Sequence, residues 1–332
     1  MERIIKYITS DGKEFNDADV NIKPKLIMLC GLSGSGKSTY ARDLIKRKKF
    51  NDDLDDANNT LLFSSDDLRQ ELFGDVNDQS HNQELFQELH RRIKDCLRKG
   101  NNAIYDATNI KSKLRIAFLN ELKNIDCFKS CHIIYRPYNE CLLMNRGRTR
   151  SVPDYVITRQ YMNWHTPWYF EGWDEIKWIG DDTFSCYFAN EIAKYNNFLQ
   201  HNYHHELTLG QHCFEAKEIV AMNTENNLNL TIAAWLHDIG KPFTKTFKDS
   251  KGNPTKDAHY YQHHCVGAYD ALGLYYGRSP KVDKIKISAY IAYHMYPYFW
   301  KNPKTEAKYR KRWGNEFFND IMLLHEADKL AH

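Results

Sequence analysis

The stretch Gly31-Leu32-Ser33-Gly34-Ser35-Gly36-Lys37-Ser38 decides the fold of the amino-terminal half. It fits the spacing GxxxxGK(S/T), which binds phosphate where a strand runs into a glycine loop that opens a helix. An apolar run, Lys25–Cys30, precedes the stretch, and a helical pattern, Ser38–Ile45, follows it. Because the flanking elements are those that the pattern requires, the sequence predicts a phosphate-binding loop here.

The side chains of this loop suit a nucleoside triphosphate bound together with Mg²⁺. Lys37 is expected to neutralise β- and γ-phosphate oxygens, and Ser38 is expected to bind Mg²⁺. The glycines let backbone N–H groups close around the β-phosphate. The expected nucleotide-binding residues are Gly31, Ser33, Gly34, Ser35, Gly36, Lys37, Ser38 and Thr39. ATP is the predicted nucleotide, and the loop alone leaves GTP or another nucleoside triphosphate open.

Bulk composition restricts the class of protein without identifying a partner. A chain of 332 residues, 42% of them hydrophobic, predicts two domains that each have a core. The formal net charge of +3 permits a nucleic-acid partner but does not demand one. No apolar run is long enough to span a bilayer, and residues 1–20 are too charged for a secretory signal. The eight cysteines contain no Cys-x-x-Cys pair, so we expect free thiols in a reducing cytoplasm, the host cytoplasm if a phage encodes the chain.

Strands and helices alternate through the amino-terminal half. Apolar runs at Thr60–Phe63, Ala103–Tyr105 and His132–Tyr135 predict three further strands. Apolar residues also recur at helical spacing, at Leu85, Phe86, Leu89, Ile93 and Leu97, before Lys99-Gly100. This alternation predicts an α/β fold with a parallel sheet flanked by helices, while residues 1–22 leave their structure open.

Polar residues cluster where the predicted strands end. Ser65–Arg69 follows the second strand and Tyr105–Asn109 follows the third. Arg146, Arg148 and Arg150 alternate with small residues further on. Ligands bind at the carboxyl ends of strands in open α/β sheets, where a carboxylate can accept a proton and an arginine can hold phosphate. The pattern therefore favours phosphoryl transfer to a hydroxyl group.

These motifs, with the segment Phe170–Ile176, resemble the polynucleotide 5′-hydroxyl kinase family over residues 24–178. The resemblance implies that Asp66 is the general base and that Arg69 binds the phosphate next to the acceptor 5′-hydroxyl. It also implies that Arg148 is a lid arginine on the ATP phosphates.

For the lid arginine and the general base, nearby residues fit the role nearly as well. The arginine spacing departs from the family pattern, so Arg146 or Arg150 can hold the lid role instead. Asp67 can be confused with Asp66 or can cap the following helix.

Beyond a polar turn at Gly180–Thr183 the pattern becomes helical. Thr231–Leu236 and Ile285–Ile291 are apolar helical segments, and alternation of the strand type is nearly absent. We therefore expect a boundary near residues 178–186, with a P-loop kinase-like domain at 1–180 and an all-α domain at 186–332.

Spaced histidines and aspartates in the second half indicate a metal centre. Imidazole and carboxylate together suit Mn, Fe, Co, Ni or Zn. The candidate ligands are His212, His237, Asp238, His263, His294 and Asp328. The adjacent pair His237-Asp238 points about 100° apart on a regular helix, so a kink or a helix end must bring both to one cavity. His212 and Asp328 would complete a first site with His237 and Asp238, and Asp238 would bridge to a second site with His263 and His294.

This pattern resembles the HD phosphohydrolase superfamily over residues 196–332. The matching segments are His204-His205, Leu209–His212, Leu236–Lys241, His263–Ala268, Tyr293–Met295 and Ala327–Lys329. The resemblance implies an HD-type helical domain in which Asp238 is catalytic, and it leaves His263 and His264 as alternatives for one ligand.

Taken together, both halves resemble the fused HD-domain polynucleotide kinases. The resemblance implies a bifunctional enzyme that phosphorylates 5′-hydroxyl ends of RNA or DNA and removes a 3′-phosphate or 2′,3′-cyclic phosphate. A nucleic-acid ligase would act on its products. Two alternatives stay open at this point: a nucleoside or metabolite kinase fused to a nucleotide phosphohydrolase, and an ATP-binding switch with a nucleotide-binding HD module.

Overall fold

The computed structural model describes residues 6–8, 14–16, 23–47, 59–148, 150–181, 187–202, 206–225 and 227–331. Three features named above therefore lie wholly or partly outside the described residues: residues 1–22, the pair His204-His205, and residues 182–186 of the predicted boundary. None of the described helices is long and apolar enough to cross a membrane.

The chain divides into two compact units. The first comprises Met1–Met28, Ser38–Asp106 and Glu121–Ser130, and the second comprises Leu29–Lys37, Ala107–Asn120 and Cys131–His332. The loop Leu29–Lys37 thus belongs to the same unit as the helical second half. The predicted boundary at residues 180–186, between a kinase-like domain and a helical domain, stays a prediction.

A five-stranded sheet carries the P-loop. Its strands lie in the order β4-β5-β3-β6-β7, and β5 pairs in parallel with both β3 and β4. Their bounds are β3 Lys25–Cys30, β4 Thr60–Ser64, β5 Asn102–Asp106, β6 Phe128–Ile134 and β7 Glu175–Ile179. The predicted apolar runs form strands because their side chains fill the core, where Leu26 to Cys30 are fully buried. Strand β7 was not predicted.

Two short strands precede the sheet in the stretch that the sequence left open. They are β1 Lys6–Ile8 and β2 Glu14–Asn16, and they pair antiparallel.

Two of the helices described in the first unit, the first and the third of those that follow, were predicted from helical patterns in the sequence. The helices are α1 Lys37–Arg47, which starts at the unit boundary, α2 Ser65–Phe73 and α3 Asn82–Arg98. Ser64 caps α2, since its side chain accepts the N–H of Asp67 at 3.2 Å. The buried stripe of α3 consists of Leu85, Leu89, Ile93, Cys96 and Leu97.

The second unit contains the remaining helices. Those before residue 180 are α4 Ser112–Glu121, which ends at the unit boundary, α5 Tyr138–Arg146 and α6 Asp154–Tyr161. Those after it are α7 Phe188–Ala193, α8 Leu209–Asn223, α9 Leu228–Leu236, α10 Lys241–Thr244, α11 His263–Ala271, α12 Lys284–Tyr293, α13 Pro303–Trp313 and α14 Asn315–Leu330. Helix α8 packs against α9 and α14, and α12 packs against α9 and α11.

The expectation of an all-α second half was wrong in one place. Strands β8 Thr246–Lys248 and β9 Pro254–His259 form an antiparallel hairpin. The Asp249 side chain closes its turn by accepting the N–H groups of Lys251 and Asn253, both at 2.8 Å. The strands escaped notice because the first is only three residues long.

Candidate functional site

The P-loop adopts a backbone that only glycine permits at two positions. Gly34 and Gly36 have φ of 85° and 99°. A Cβ atom on Gly34 would lie 2.2 Å from the carbonyl oxygen of Cys141. The Ser35 hydroxyl is buried and has no hydrogen-bond partner in the described part of the chain. The loop therefore offers backbone N–H groups and an unsatisfied hydroxyl at the start of α1, as anion binding requires.

Charged and hydroxyl side chains follow the loop into the first turn of α1. Lys37 is buried, and its ammonium donates to the carbonyl oxygen of Leu32 at 2.8 Å. Ser38 is half-buried, and Thr39 is exposed. The Lys37 side chain therefore folds back onto the P-loop, where a phosphate would bind.

Gln160, on α6, forms two hydrogen bonds with Ser33 of the P-loop. The sequence did not indicate this contact. Its amide oxygen accepts the N–H of Ser33 at 2.8 Å, and its amide nitrogen donates to the Ser33 hydroxyl at 3.0 Å. The two residues are 127 positions apart, so no local pattern links them.

A buried ion pair orders the loops after the strands. The side chains of Arg115 and Glu171 are fully buried, and Arg115 Nη2 lies 2.6 Å from Glu171 Oε1. Arg115 also donates to the carbonyl oxygen of Asn109 at 2.8 Å, and Trp173 donates to Glu171 at 2.9 Å. Burial opposes the charge of Arg115, but the Glu171 carboxylate outweighs it and raises the pKa of Arg115. The segment Phe170–Ile176 is thus fixed by a pair that the sequence did not reveal.

The predicted acceptor residues Asp66 and Arg69 lie on α2, in the first unit. Asp66 is half-buried in the first helical turn, and Ser64, not Asp66 or Asp67, is the N-cap. Arg69 is buried, and its guanidinium donates to the carbonyl oxygen of Asp78 and to the Asn82 side chain. The suggestion that Asp67 caps this helix is therefore wrong, while the roles of base and phosphate ligand stay predictions.

The three candidate lid arginines differ in their surroundings. Arg146, the last residue of α5, forms an ion pair with Asp154. Arg148 is exposed, and Arg150 is half-buried. Buried Asn145 ties the ends of this segment together through two hydrogen bonds to Val152, at 2.7 and 3.0 Å. Arg146 thus has a carboxylate partner, and the choice of the lid arginine among the three stays a prediction.

All six predicted metal ligands converge in the second unit. They fall into two groups that share Asp238, and the candidate ligand atoms of each group lie within 4.8 Å of one another. The groups are His212, His237, Asp238 and Asp328, and Asp238, His263 and His294. All six side chains are buried, and they come from α8, α11, the ends of α9 and α12, the turn after α9, and α14.

The first group is compact. His212 Nε2 lies 3.1 Å from both His237 Nε2 and Asp328 Oδ1. Asp238 Oδ2 lies 3.4 Å from His212 Nε2 and 3.3 Å from His237 Nε2. Helix α9 ends at Leu236, so the adjacent His237 and Asp238 both turn inward at a helix end, which a regular helix would prevent.

The other oxygen of Asp238 faces the second group. Asp238 Oδ1 lies 3.0 Å from His263 Nε2 and 3.9 Å from His294 Nε2. The two histidine Nε2 atoms are 3.3 Å apart. His264 is half-buried and belongs to neither group, so the geometry favours His263 over its neighbour.

The hydrogen bonds of the four histidines fit metal ligation. Each Nδ1 contacts a backbone carbonyl oxygen, in the pairs His212–Ala331 at 2.6 Å, His237–Ala234 at 2.7 Å, His263–Tyr260 at 2.8 Å and His294–Ile291 at 2.8 Å. A carbonyl only accepts, so each Nδ1 donates, and the Nε2 lone pair of a neutral ring points into the cluster. Lone pairs at such separations repel unless a cation lies between them. The donor set therefore fits a divalent transition metal.

Protonation in the cluster is consistent with this fit. Burial opposes the charge of Asp238, but Lys241 and His237 outweigh it and hold the pKa of Asp238 well below its usual range. Burial, His237 and His263 lower the pKa of His294 to about 3. Burial also disfavours protonated His212, but hydrogen bonds to Asp238 and Asp328 raise its pKa to about 9. A bound cation would displace that proton.

Two residues that the sequence analysis gave no role support the carboxylates. Lys241 is buried, and its ammonium lies 2.6 Å from Asp238 Oδ2 and 2.7 Å from the Gln200 side-chain oxygen. The Tyr298 hydroxyl donates to Asp328 Oδ2 at 3.0 Å. Lys241 could have been noticed, since it follows the His-Asp pair by three residues, whereas nothing in the sequence indicates Tyr298.

Comparison with known proteins identifies the P-loop region as kinase-like. A family model described as an AAA domain matches residues 26–167. The L-seryl-tRNA(Sec) kinase of Methanococcus maripaludis is 29% identical over 177 residues, which is 53% of this chain and 66% of that protein. The matched region is a kinase-like P-loop domain.

Solved structures show more distant likenesses. A Pnkp1/Rnl/Hen1 complex contains a chain that is 25% identical, with a TM-score of 0.32, over 41% of this chain and 43% of that one. A putative kinase from Chloroflexus aurantiacus is 13% identical, with a TM-score of 0.37, over 48% of this chain and 86% of that one. With TM-scores this low, neither likeness defines the fold or the function of the chain.

Proposed function

We propose that this chain is a bifunctional enzyme that heals nucleic-acid ends. Its P-loop half would transfer the γ-phosphate of ATP to a 5′-hydroxyl end. Its helical half, an HD-type phosphohydrolase domain, would remove a 3′-phosphate or a 2′,3′-cyclic phosphate. The observation that carries the proposal is the convergence of four histidines and two aspartates in a chain that also holds a P-loop.

In the kinase reaction, Lys37 would neutralise β- and γ-phosphate oxygens, and Ser38 would hold Mg²⁺. Asp66 would accept the proton of the attacking hydroxyl, and Arg69 would bind the neighbouring phosphate of the acceptor. Arg148 would cover the transferred phosphoryl group. A P-loop kinase relative supports the reaction class, while the acceptor is our inference.

In the phosphohydrolase reaction, the two groups around Asp238 would hold the metals. A divalent transition metal there supplies Lewis-acid polarisation of a phosphoester. Lys241 keeps the Asp238 carboxylate ionised, and the four backbone carbonyls keep each histidine in the tautomer that presents Nε2. Hydrolysis would leave a free 3′-hydroxyl and release inorganic phosphate. Together with the 5′-phosphate from the kinase reaction, this gives the ends that a nucleic-acid ligase joins.

One observation favours a second candidate acceptor. Because the curated relative is a seryl-tRNA(Sec) kinase, the hydroxyl could be that of a small group carried on tRNA. The HD half would then act on nucleotides.

Labelled ATP distinguishes the acceptors. We expect label on a 5′-hydroxyl oligonucleotide and on a nucleoside 3′-phosphate, and little on free nucleosides or seryl-tRNA. A substrate that lacks the charged contact to Arg69 should bind less favourably by about 1.5–3 kcal/mol, or about 10–150-fold. Equal labelling of nucleosides and oligonucleotides would favour a metabolite kinase, and labelling of seryl-tRNA alone would favour the second candidate.

A further inference from the structure

The last two residues of helix α6 contact different parts of the second unit. The Gln160 side-chain amide accepts the N–H of Ser33 at 2.8 Å and donates to the Ser33 hydroxyl at 3.0 Å. The next residue, Tyr161, donates its hydroxyl hydrogen to Asp270 Oδ1 on α11 at 2.6 Å. Consecutive residues of a helix point about 100° apart, so one side chain reaches the P-loop while its neighbour reaches α11.

The Tyr161 ring is fixed by packing as well as by its hydroxyl. It is buried and stacks on Tyr138 of α5, with ring centroids 4.4 Å apart. It also packs edge-on against Phe243 of α10 and Tyr269 of α11, at centroid distances of 5.0 and 5.5 Å. Because a packed ring with a hydrogen-bonded hydroxyl has few alternative positions, these contacts fix the end of α6 and with it Gln160.

Helix α5 confines the P-loop from a second side. A Cβ atom on Gly34 would lie 2.2 Å from the carbonyl oxygen of Cys141, in the first half of this helix. Tyr269 of α11 donates to the carbonyl oxygen of Arg136 at 2.7 Å, just before α5 begins at Tyr138. Helix α11 therefore supports the start of α5 and the end of α6, and both of these helices contact the loop.

We propose that Gln160 is a positioning residue of the nucleotide site and that α11, from the helical half, holds it in place through Tyr161. A loop with left-handed glycines has many alternative conformations, so hydrogen bonds that order Ser33 in advance reduce the entropy that nucleotide binding must remove. The Ser35 hydroxyl, buried and without a hydrogen-bond partner among the described residues, stays available to a phosphate. Helix α11 begins with the candidate metal ligand His263, so one helix contributes to both sites.

Nucleotide binding to the full chain tests this role without turnover. A fluorescent ADP analogue is titrated in the presence of Mg²⁺, and its anisotropy gives both the Kd and the number of sites per chain. Gln160→Met keeps the length of the side chain but removes two hydrogen bonds, so the Kd should rise by about 5- to 150-fold. The matched control is Gln87→Met, a change at an exposed glutamine of α3, and its Kd should equal that of the wild type.

A second pair of variants tests the support from α11. Tyr161→Phe removes the hydrogen bond to Asp270 and keeps the ring, so the Kd for nucleotide should rise by about two- to tenfold. Tyr290→Phe is the matched control, because Tyr290 of α12 donates in the same way to Asp320 of α14, and its Kd should stay that of the wild type. A variant that is only partly folded binds fewer nucleotides per chain at an unchanged Kd, which separates positioning from loss of structure.

An unchanged Kd in Gln160→Met or in Tyr161→Phe would overturn the inference, as would a rise in Tyr290→Phe as large as that in Tyr161→Phe. The inference rests on the proposed kinase function, since it concerns the nucleotide site of that reaction. If the wild type binds no nucleotide, the kinase proposal and the inference both fail. If it binds nucleotide but phosphorylates no oligonucleotide, only the proposed acceptor fails, and the binding experiment still decides whether Gln160 positions the loop.

Discussion

At the scale of single residues, adjacent histidines have different environments. His263 Nε2 lies 3.0 Å from Asp238 Oδ1 while its Nδ1 contacts a carbonyl oxygen. Burial and the neighbouring His263 and His294 hold the pKa of His264 well below its usual range, yet His264 joins neither ligand group. One residue of the pair is arranged as a ligand, and the other serves as its natural control.

We predict that His263→Gln lowers the metal content of the protein and His264→Gln does not. The first change removes an imidazole from a buried group, whereas the second leaves both groups intact. Metal bound per chain after reconstitution with Mn²⁺ is the measurement, with circular dichroism as a check on folding. The ligand assignment is wrong if the two folded variants retain equal metal.

At the scale of elements, the histidine cluster depends on a close approach of α10 and α11. A Cβ atom on Gly240 would lie 2.1 Å from the carbonyl oxygen of His263 and 2.7 Å from the Gly267 N–H nitrogen. Both neighbours are backbone atoms, so neither can rotate away. Glycine at this position therefore lets the chain place Asp238 and His263 side by side.

Gly240→Ala should push the first turn of α11 away from Asp238. We expect a loss of about 1–3 kcal/mol in the free energy of unfolding, together with weaker metal binding. Gly147→Ala is the control, since its Cβ atom would meet nothing nearer than 3.8 Å. Urea unfolding and metal titration measure the two effects, and equal behaviour of both alanine variants would contradict the packing argument.

Sequence patterns revealed local structure well and long-range pairing poorly. Strands β3 to β6 followed from apolar runs, and the stripe of α3 followed from its period. The six clustered side chains were proposed because spaced histidines and aspartates suit metal ligation and match the HD pattern. Nothing local pairs Arg115 with Glu171, or Gln160 with Ser33, since these contacts span 56 and 127 residues. Strand β7 was not predicted, because its residues mix aromatic, charged and aliphatic side chains.

At the scale of the whole molecule, a buried carboxyl group sets a pH dependence of stability. Tyr161 on α6 donates to Asp270 on α11 at 2.6 Å. Burial raises the pKa of Asp270 to about 7 from 3.8, against the effect of that hydrogen bond. Between these pH values the folded carboxyl group keeps a proton that the unfolded one has lost. Its stabilising contribution is therefore complete below about pH 4 and is lost as the pH rises through about 7.

Asp270→Asn should remove this dependence, because the amide oxygen still accepts the Tyr161 hydroxyl. We expect the variant and the wild type to have similar free energies of unfolding near about pH 4. At about pH 8 the variant should be more stable, by on the order of 2–4 kcal/mol. Urea unfolding across this range is the measurement, and a difference that does not vary with pH would contradict the raised pKa.

The central claim is that one chain carries two separable chemistries, one at the P-loop and one at the histidine cluster. The most direct test gives the protein ATP, Mg²⁺ and Mn²⁺ with an oligonucleotide that has a 5′-hydroxyl and a 3′-phosphate, and follows both ends by mass spectrometry. The wild type should add a phosphate at the 5′ end and remove the one at the 3′ end. Lys37→Ala should only remove, and Asp238→Ala should only add. Unchanged ends with folded wild-type protein, or loss of both reactions in either folded variant, would contradict the account.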